Sequence, residues 1–179
     1  AGLEISSENL RDNVEELKRV MPESCRLMAV VKAEAYGHGG VETAALRAEM
    51  GVDAFATATL EEAIEIRKRG VRGEILILGY TDPKRAWELH RYRLTQTAIS
   101  YRYARKLDAQ GVPVDVHLKI DTGMHRLGIE SRKPEEIAAV FSMGNLQVSG
   151  MYTHLCCADS RAPSEMAFPR RQSAAVSLL

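Results

Sequence analysis

Short apolar runs alternate with amphipathic helical stretches along nearly the whole chain, and this alternation limits the fold more than any other feature. The runs are Leu27 to Val31, Ala54 to Ala58, Glu74 to Leu78, Leu94 to Ile99, Val114 to Ile120 and Leu146 to Thr153. Leu10, Val14, Leu17 and Met21 recur at helical spacing behind Ser6 and Ser7, which predicts a leading helix over about residues 7–21. Thr59-Leu60-Glu61-Glu62 has the form of a capping box, in which each side chain satisfies a backbone donor at the other's position, and opens a helix running through Arg69 to Gly70. Further helical segments fall near 83–91, 100–110, 133–143 and 164–179. Nearly continuous apolar strands, each followed by a helix, imply a parallel sheet covered by helices. No GxGxxG turn follows the first strand, which disfavours the open, dinucleotide-binding version of such a sheet. The expected fold is therefore an α/β (β/α)8 TIM-type barrel, truncated to about six βα units where a closed barrel needs eight.

The chain has 179 residues, 45% of them hydrophobic, enough for one substantial core. Lys plus Arg and Asp plus Glu are equal at 24 each, so charge gives no argument for nucleic acid or a membrane surface, and a small molecule is the expected partner. No apolar run approaches a membrane span and no signal peptide is visible. Cys25, Cys156 and Cys157 show no metal-ligand spacing, so no metal is expected; reduced thiols suit a cytoplasmic protein. The chain starts Ala1-Gly2 and ends Val176-Ser177-Leu178-Leu179 inside a helical pattern, and the expectation is an excised piece of a longer parent.

In a barrel of this kind chemistry sits where strands run out into loops. Three unusual stretches lie at such ends: AVVKAEAYGHG at residues 29–39, KIDTGMHRLG at 119–128 and MYTH at 151–154. A lysine at the end of a buried strand is costly, because desolvation disfavours the ammonium form and lowers its pKa. Lys32 occupies such a position. The loops predict that Lys32, Tyr36, Arg126 and His154 converge on one pocket.

Taken together, AVVKAEAYGHGG, HLKIDTGMHRLGI, GMYTHL, ATATLEEAIEIRKRG and LILGYTDP resemble the corresponding stretches of alanine racemases, pyridoxal-phosphate enzymes with a barrel and a second, mostly β domain. Glu34, where many alanine racemases carry Asn, and the ATATLEEA segment are similar to the serine/alanine racemases of the glycopeptide-resistance type. The resemblance implies an isomerase that interconverts L- and D-alanine or serine, with Lys32 forming an internal aldimine with pyridoxal 5'-phosphate and moving the α-proton on one face. It implies Tyr36 at the cofactor phosphate, Arg126 at the phenolic oxygen beside the substrate carboxylate, and His154 against the pyridine ring. Lys119 matches a lysine that is carbamylated in some relatives and braces the arginine. His125 stands where relatives often have glycine. The parent is expected to be a homodimer, cytoplasmic or tethered to a membrane outside this segment. Residues 1–179 would be the N-terminal portion of the barrel domain, inactive alone without the last barrel units and the C-terminal β domain.

Plainer readings stand beside these. Lys32 can snorkel out at a strand end, Tyr36 can be a packing residue, and Arg126 can be a surface partner of Asp121 or Glu130. His154 can be a core histidine, and Lys119 an ordinary salt-bridge lysine. His38, His117 and His125 read as structural or exposed, and Cys156-Cys157 as lining the core. Two other functions share the motifs: a non-catalytic pyridoxal-phosphate-binding barrel, and a related barrel decarboxylase acting on basic amino acids.

Overall fold

The computed structural model describes residues 4–160 and 162–179. They fall into two compact units, Ala1–Thr81 with Tyr92–Leu94, and Asp82–Arg91 with Thr95–Leu179. In the first, helix α1 (Ser7–Val20) opens on Ser6, whose hydroxyl accepts from Asn9 N at 3.1 Å. Of its apolar positions Val14 is buried, while Leu17 is 48% exposed. Strand β1 (Met28–Val30) leads into a one-turn element, α2 (Lys32–Gly37), and helix α3 (Gly40–Glu49) follows. Strand β2 (Ala54–Thr57), helix α4 (Leu60–Lys68) and strand β3 (Glu74–Ile77) complete the unit. The three strands are parallel, with Met28 opposite Ala54 and Ala54 opposite Glu74. All four residues of β2 are buried, as a strand covered on both faces requires. Phe55, Leu60, Ile66, Ile75 and Ile77 form the core beneath α4. The capping box at Thr59 and Glu62 is present, as the sequence predicts.

Arg67 closes this unit. Its guanidinium donates to the carbonyls of Tyr92 (3.0 Å), Val71 (2.9 Å), Gly73 (2.9 Å) and Arg93 (2.9 Å). Arg67→Met keeps the aliphatic stem and strands four acceptors, two of them part-buried. A loss of about 2 kcal/mol in urea unfolding is the expected result; an unchanged midpoint would show that water replaces the guanidinium at no cost.

In the second unit a 3-10 turn (Pro83–Arg85) enters helix α5 (Ala86–Arg91). Strand β4 (Thr95–Ala98), helix α6 (Tyr101–Asp108), strand β5 (Val114–Asp121) and the two-residue strand β6 (Ile129–Glu130) come next. Helix α7 (Pro134–Phe141), strand β7 (Leu146–Tyr152) and helix α8 (Pro163–Ser177) end the chain. β5 lies between β4 and β7, parallel to both, and β6 pairs with its end. Each of the six strands expected from sequence is present within a residue or two. Three elements between them, α2, α3 and β6, are additional.

Candidate functional site

Each unit carries candidate residues at the C-terminal ends of its strands. In the first, Val31 N donates to Ala56 O at 2.8 Å, the last sheet bond before Lys32. The chain then enters a left-handed helical turn: Ala33, Glu34, Ala35 and Tyr36 have φ between 49 and 59° and ψ between 36 and 54°. For residues with a Cβ this conformation costs on the order of 1–2 kcal/mol each. It is held at both ends by carboxylates. Ala33 N donates to Glu62 Oε1 at 2.9 Å, and Gly40 N to Glu34 Oε2 at 3.0 Å. The turn leaves Lys32 half-buried, with no hydrogen-bond or ion-pair partner among the described residues, and puts Tyr36 65% exposed.

In the second unit the loop between β5 and β6 is organised by Asp121. Its Oδ1 accepts from Gly123 N (2.9 Å) and His125 N (3.0 Å), and Oδ2 lies 3.3 Å from the His125 Nδ1. Burial pushes the Asp121 carboxyl up, but the N–H bonds from Gly123 and His125 and the His125 imidazole outweigh it and hold the group below the usual carboxylate range. His125 has φ 55°, a left-handed position that glycine would take without strain. Arg126 follows, exposed and without an ion pair among the described residues. The surface-partner reading of Arg126 does not hold, since Asp121 is engaged by the loop and Glu130 by Arg132 and Lys133.

Behind that loop, Lys119 is only 7% exposed. Its Nζ is 3.5 Å from Ile120 O and 5.1 Å from the centre of the Tyr152 ring, and Tyr152 shares a 3.1 Å hydrogen bond with the Thr97 hydroxyl. Among the described residues Lys119 therefore lacks the carboxylate contact of an ordinary salt-bridge lysine. Burial holds its ammonium below the usual lysine range; Asp121 opposes that shift and the Arg126 charge adds to it. Burial likewise pushes the Tyr152 phenol up. Folded Lys119 thus binds its proton less tightly than unfolded Lys119. Its contribution to stability rises with pH from the depressed folded value to the unfolded value of about 10.4. Lys119→Met is expected to remove that slope and to raise stability at neutral pH by about 1 kcal/mol, read from thermal unfolding at a series of pH values. A variant less stable than the parent at neutral pH would mean that the ammonium is better solvated than its burial indicates.

Two placements differ from the plainer readings. Cys156 is half-buried and Cys157 exposed, because the chain has left β7 and turns there, Cys157 taking φ 57°. His154 is exposed rather than part of a core. What holds it is Gln172 on α8, 1% exposed and not anticipated from sequence. Gln172 Nε2 donates to His154 O (3.1 Å) and to the Thr122 hydroxyl (3.1 Å), while its Oε1 accepts from Cys156 N (2.8 Å). The loops after β5 and β7 are further joined by a 2.8 Å contact between the Thr122 and Thr153 hydroxyls. Lys119, Tyr152, Arg126, His154 and Gln172 thus belong to one unit, and Lys32, Tyr36 and Glu62 to the other.

A family model described as alanine racemase, N-terminal domain, matches residues 5–178. An amino-acid racemase of Enterococcus faecalis is 50% identical over 171 residues, which are 96% of this chain and 24% of that protein. A serine/alanine racemase of Enterococcus gallinarum is 44% identical with the same coverage. Among solved structures, alanine racemase from E. faecalis superposes with a TM-score of 0.88 at 33% identity, over 98% of this chain and 49% of that one. Alanine racemase of Clostridium difficile 630 in complex with cycloserine gives 0.86 at 32% identity, over 95% and 48%. The chain spans about a quarter of the first relatives and half of the solved ones. Its strand and helix order is that of part of the barrel fold expected from sequence.

Proposed function

This chain belongs to the alanine racemase N-terminal domain family, and we propose on that footing that it forms one side of a pyridoxal-phosphate-dependent amino-acid racemase acting on alanine or serine. The carrying observation is Lys32: a half-buried amine at the end of β1, unpartnered among the described residues and fixed by a strained turn. No ion pair among the described residues ties that amine to the protein, so it is available to condense with an aldehyde.

The residues fit the cofactor's chemistry. Lys32 would hold it covalently and move the α-proton on one face of the substrate. Tyr36 offers an exposed hydroxyl to the phosphate, Arg126 a planar guanidinium to the phenolic oxygen and substrate carboxylate, and His154 a ring against the pyridine. When bound, the cofactor supplies the electron sink for the carbanion left by proton removal. Lys119 and Arg126 repel each other as two cations, so a carbamate formed on Lys119 by carbon dioxide, with release of a proton, would turn that repulsion into a brace. In this reading the parent works as a homodimer in the cytoplasm. The segment alone binds cofactor weakly and does not racemise. Among the described residues no helix is long and apolar enough to cross a membrane.

The test is to incubate the chain with pyridoxal phosphate, reduce with borohydride and map the modified peptide. Label concentrated on Lys32 is expected. Joined to the C-terminal half of an alanine racemase relative, the chain should then exchange the α-proton of alanine or serine for deuterium. Absence of label at Lys32, or label without exchange, would reject the racemase reading.

A further inference from the structure

Glu62 makes more bonds than a capping box needs. Within the box, Oε2 accepts from Thr59 N at 3.3 Å, and the Thr59 hydroxyl accepts from Glu62 N at 3.3 Å. Oε2 also takes the shorter bond from Ala58 N, 2.7 Å, at the exit of β2. The second oxygen, Oε1, is turned away from α4 altogether and accepts from Ala33 N at 2.9 Å, 29 residues back in the chain. One half-buried carboxylate thus ties the end of β2 and the start of α4 to the residue immediately after Lys32. Ala33 is also the first of four residues in the left-handed conformation.

That conformation needs support. Four successive non-glycine residues at positive φ cost about 4–8 kcal/mol together. At the ends of the turn Ala35 N donates to Val31 O (3.0 Å) and His38 N to Ala35 O (3.3 Å). At the far end Glu34 holds Gly40 N, but nothing in that contact sets the direction in which the chain leaves Lys32. The Ala33 N–H does, because its bond to Glu62 fixes the peptide plane joining Lys32 to Ala33. A charged acceptor for a backbone N–H gives a stronger bond than a neutral one.

We propose that Glu62 is a positioning residue for Lys32: its carboxylate sets the peptide plane after the lysine and so aims the amine. This rests on reading Lys32 as the cofactor lysine. Glu62 acts through the backbone and touches neither cofactor nor substrate. It joins the helix cap to the reactive amine, so the two roles can be separated by mutation.

Three variants of the full chain separate them. Thr59→Ala removes the cap's hydroxyl and leaves the bond to Ala33. Glu62→Ala removes both. Glu62→Gln keeps the side-chain length but presents an amide N–H to one set of backbone donors. Each is reacted with limiting pyridoxal phosphate and borohydride, and the label on Lys32 is measured relative to that on Lys84. Amide hydrogen exchange over residues 32–38 is followed without cofactor. The expected result is a fall in the Lys32 to Lys84 ratio on the order of 10- to 100-fold in the Glu62 variants, as for a reactive group displaced by about 1 Å. Faster exchange over 32–38 should accompany it, with Thr59→Ala like the parent on both measures. If Glu62→Ala does not fold, Glu62→Gln carries the comparison. Equal loss in Thr59→Ala would reduce Glu62 to a cap and overturn the proposal, as would an unchanged ratio in the Glu62 variants. No preference for Lys32 in the unmutated chain would instead overturn the cofactor-lysine reading.

Discussion

Lys32→Ala is expected to leave no borohydride-stable pyridoxyl group concentrated at any one site of the chain, and Lys32→Arg to do no better. The arginine variant is the more informative of the two. It keeps a positive charge at the end of β1 and nearly the same reach, but a guanidinium stays protonated and cannot serve as the amine. If a cation in that place were enough, Lys32→Arg would retain cofactor. In a chain able to exchange α-protons, both changes should lower exchange by at least ~10²–10⁴-fold, the usual contribution of a positioned acid–base group. Neither should cost much stability, because Lys32 is half-buried and has no hydrogen-bond or ion-pair partner among the described residues. Unfolding midpoints within about 0.5 kcal/mol of the parent are expected. A variant that loses label and also unfolds would leave the residue's chemistry unseparated from its fold, so both are measured on one preparation. Substantial label at a single other lysine in Lys32→Ala would move the cofactor attachment elsewhere.

The strand and helix order was legible because it depends on local signals the chain repeats. The run Ala54 to Ala58 ends at Thr59, and the Thr-x-x-Glu spacing fixes where α4 begins; the structure shows both halves of that box. Helix α3 was missed for the opposite reason. Val41, Ala44, Ala45 and Ala48 do stand at helical spacing, but three of the four are small alanines and two glycines precede them, so the apolar stripe of Gly40–Glu49 is faint. Strand β6 has two residues and exists because the loop from Asp121 folds Ile129 back onto Ile120. The left-handed turn could not have been read from propensity, which disfavours positive φ at Ala33, Glu34, Ala35 and Tyr36 alike. It is imposed by contacts from Glu62 and within the turn. Gln172 belongs to the same class: glutamine carries no positional signal in a helix, and its importance lies in three partners that the fold brings to it. The residues expected to do chemistry were visible as motifs, whereas the bond from Ala33 N to Glu62 and the three partners of Gln172 were not.

Gly128 is where that supporting layer is tightest, and Gly128→Ala is expected to be the most destabilising of the substitutions considered, by about 4 kcal/mol. The glycine has φ 125°, a region that side-chain-bearing residues rarely enter. A Cβ there would stand 2.7 Å from Asp121 N, 2.8 Å from Lys119 O and 2.9 Å from Ile120 C. All three are backbone atoms of β5, with no flexible side-chain end able to give way. The estimate joins about 1–3 kcal/mol for the backbone conformation and a similar amount for overpacking. Relief requires the loop to lift away from β5, which breaks the 3.0 Å bond from Gly128 N to Ile99 O and carries Arg126, two residues earlier, with it. Circular dichroism melting reads the loss of stability. Near-ultraviolet dichroism of Tyr152, whose neighbours Lys119 and Thr97 lie beside this strand end, reads whether the loop has moved. Gly144→Ala is the control, since a Cβ at Gly144 meets nothing within 4 Å and its φ is not positive. Equal melting of the two variants would mean that the DTGMHRLG loop is not seated on β5, and Arg126 would then have no fixed place from which to meet an anion.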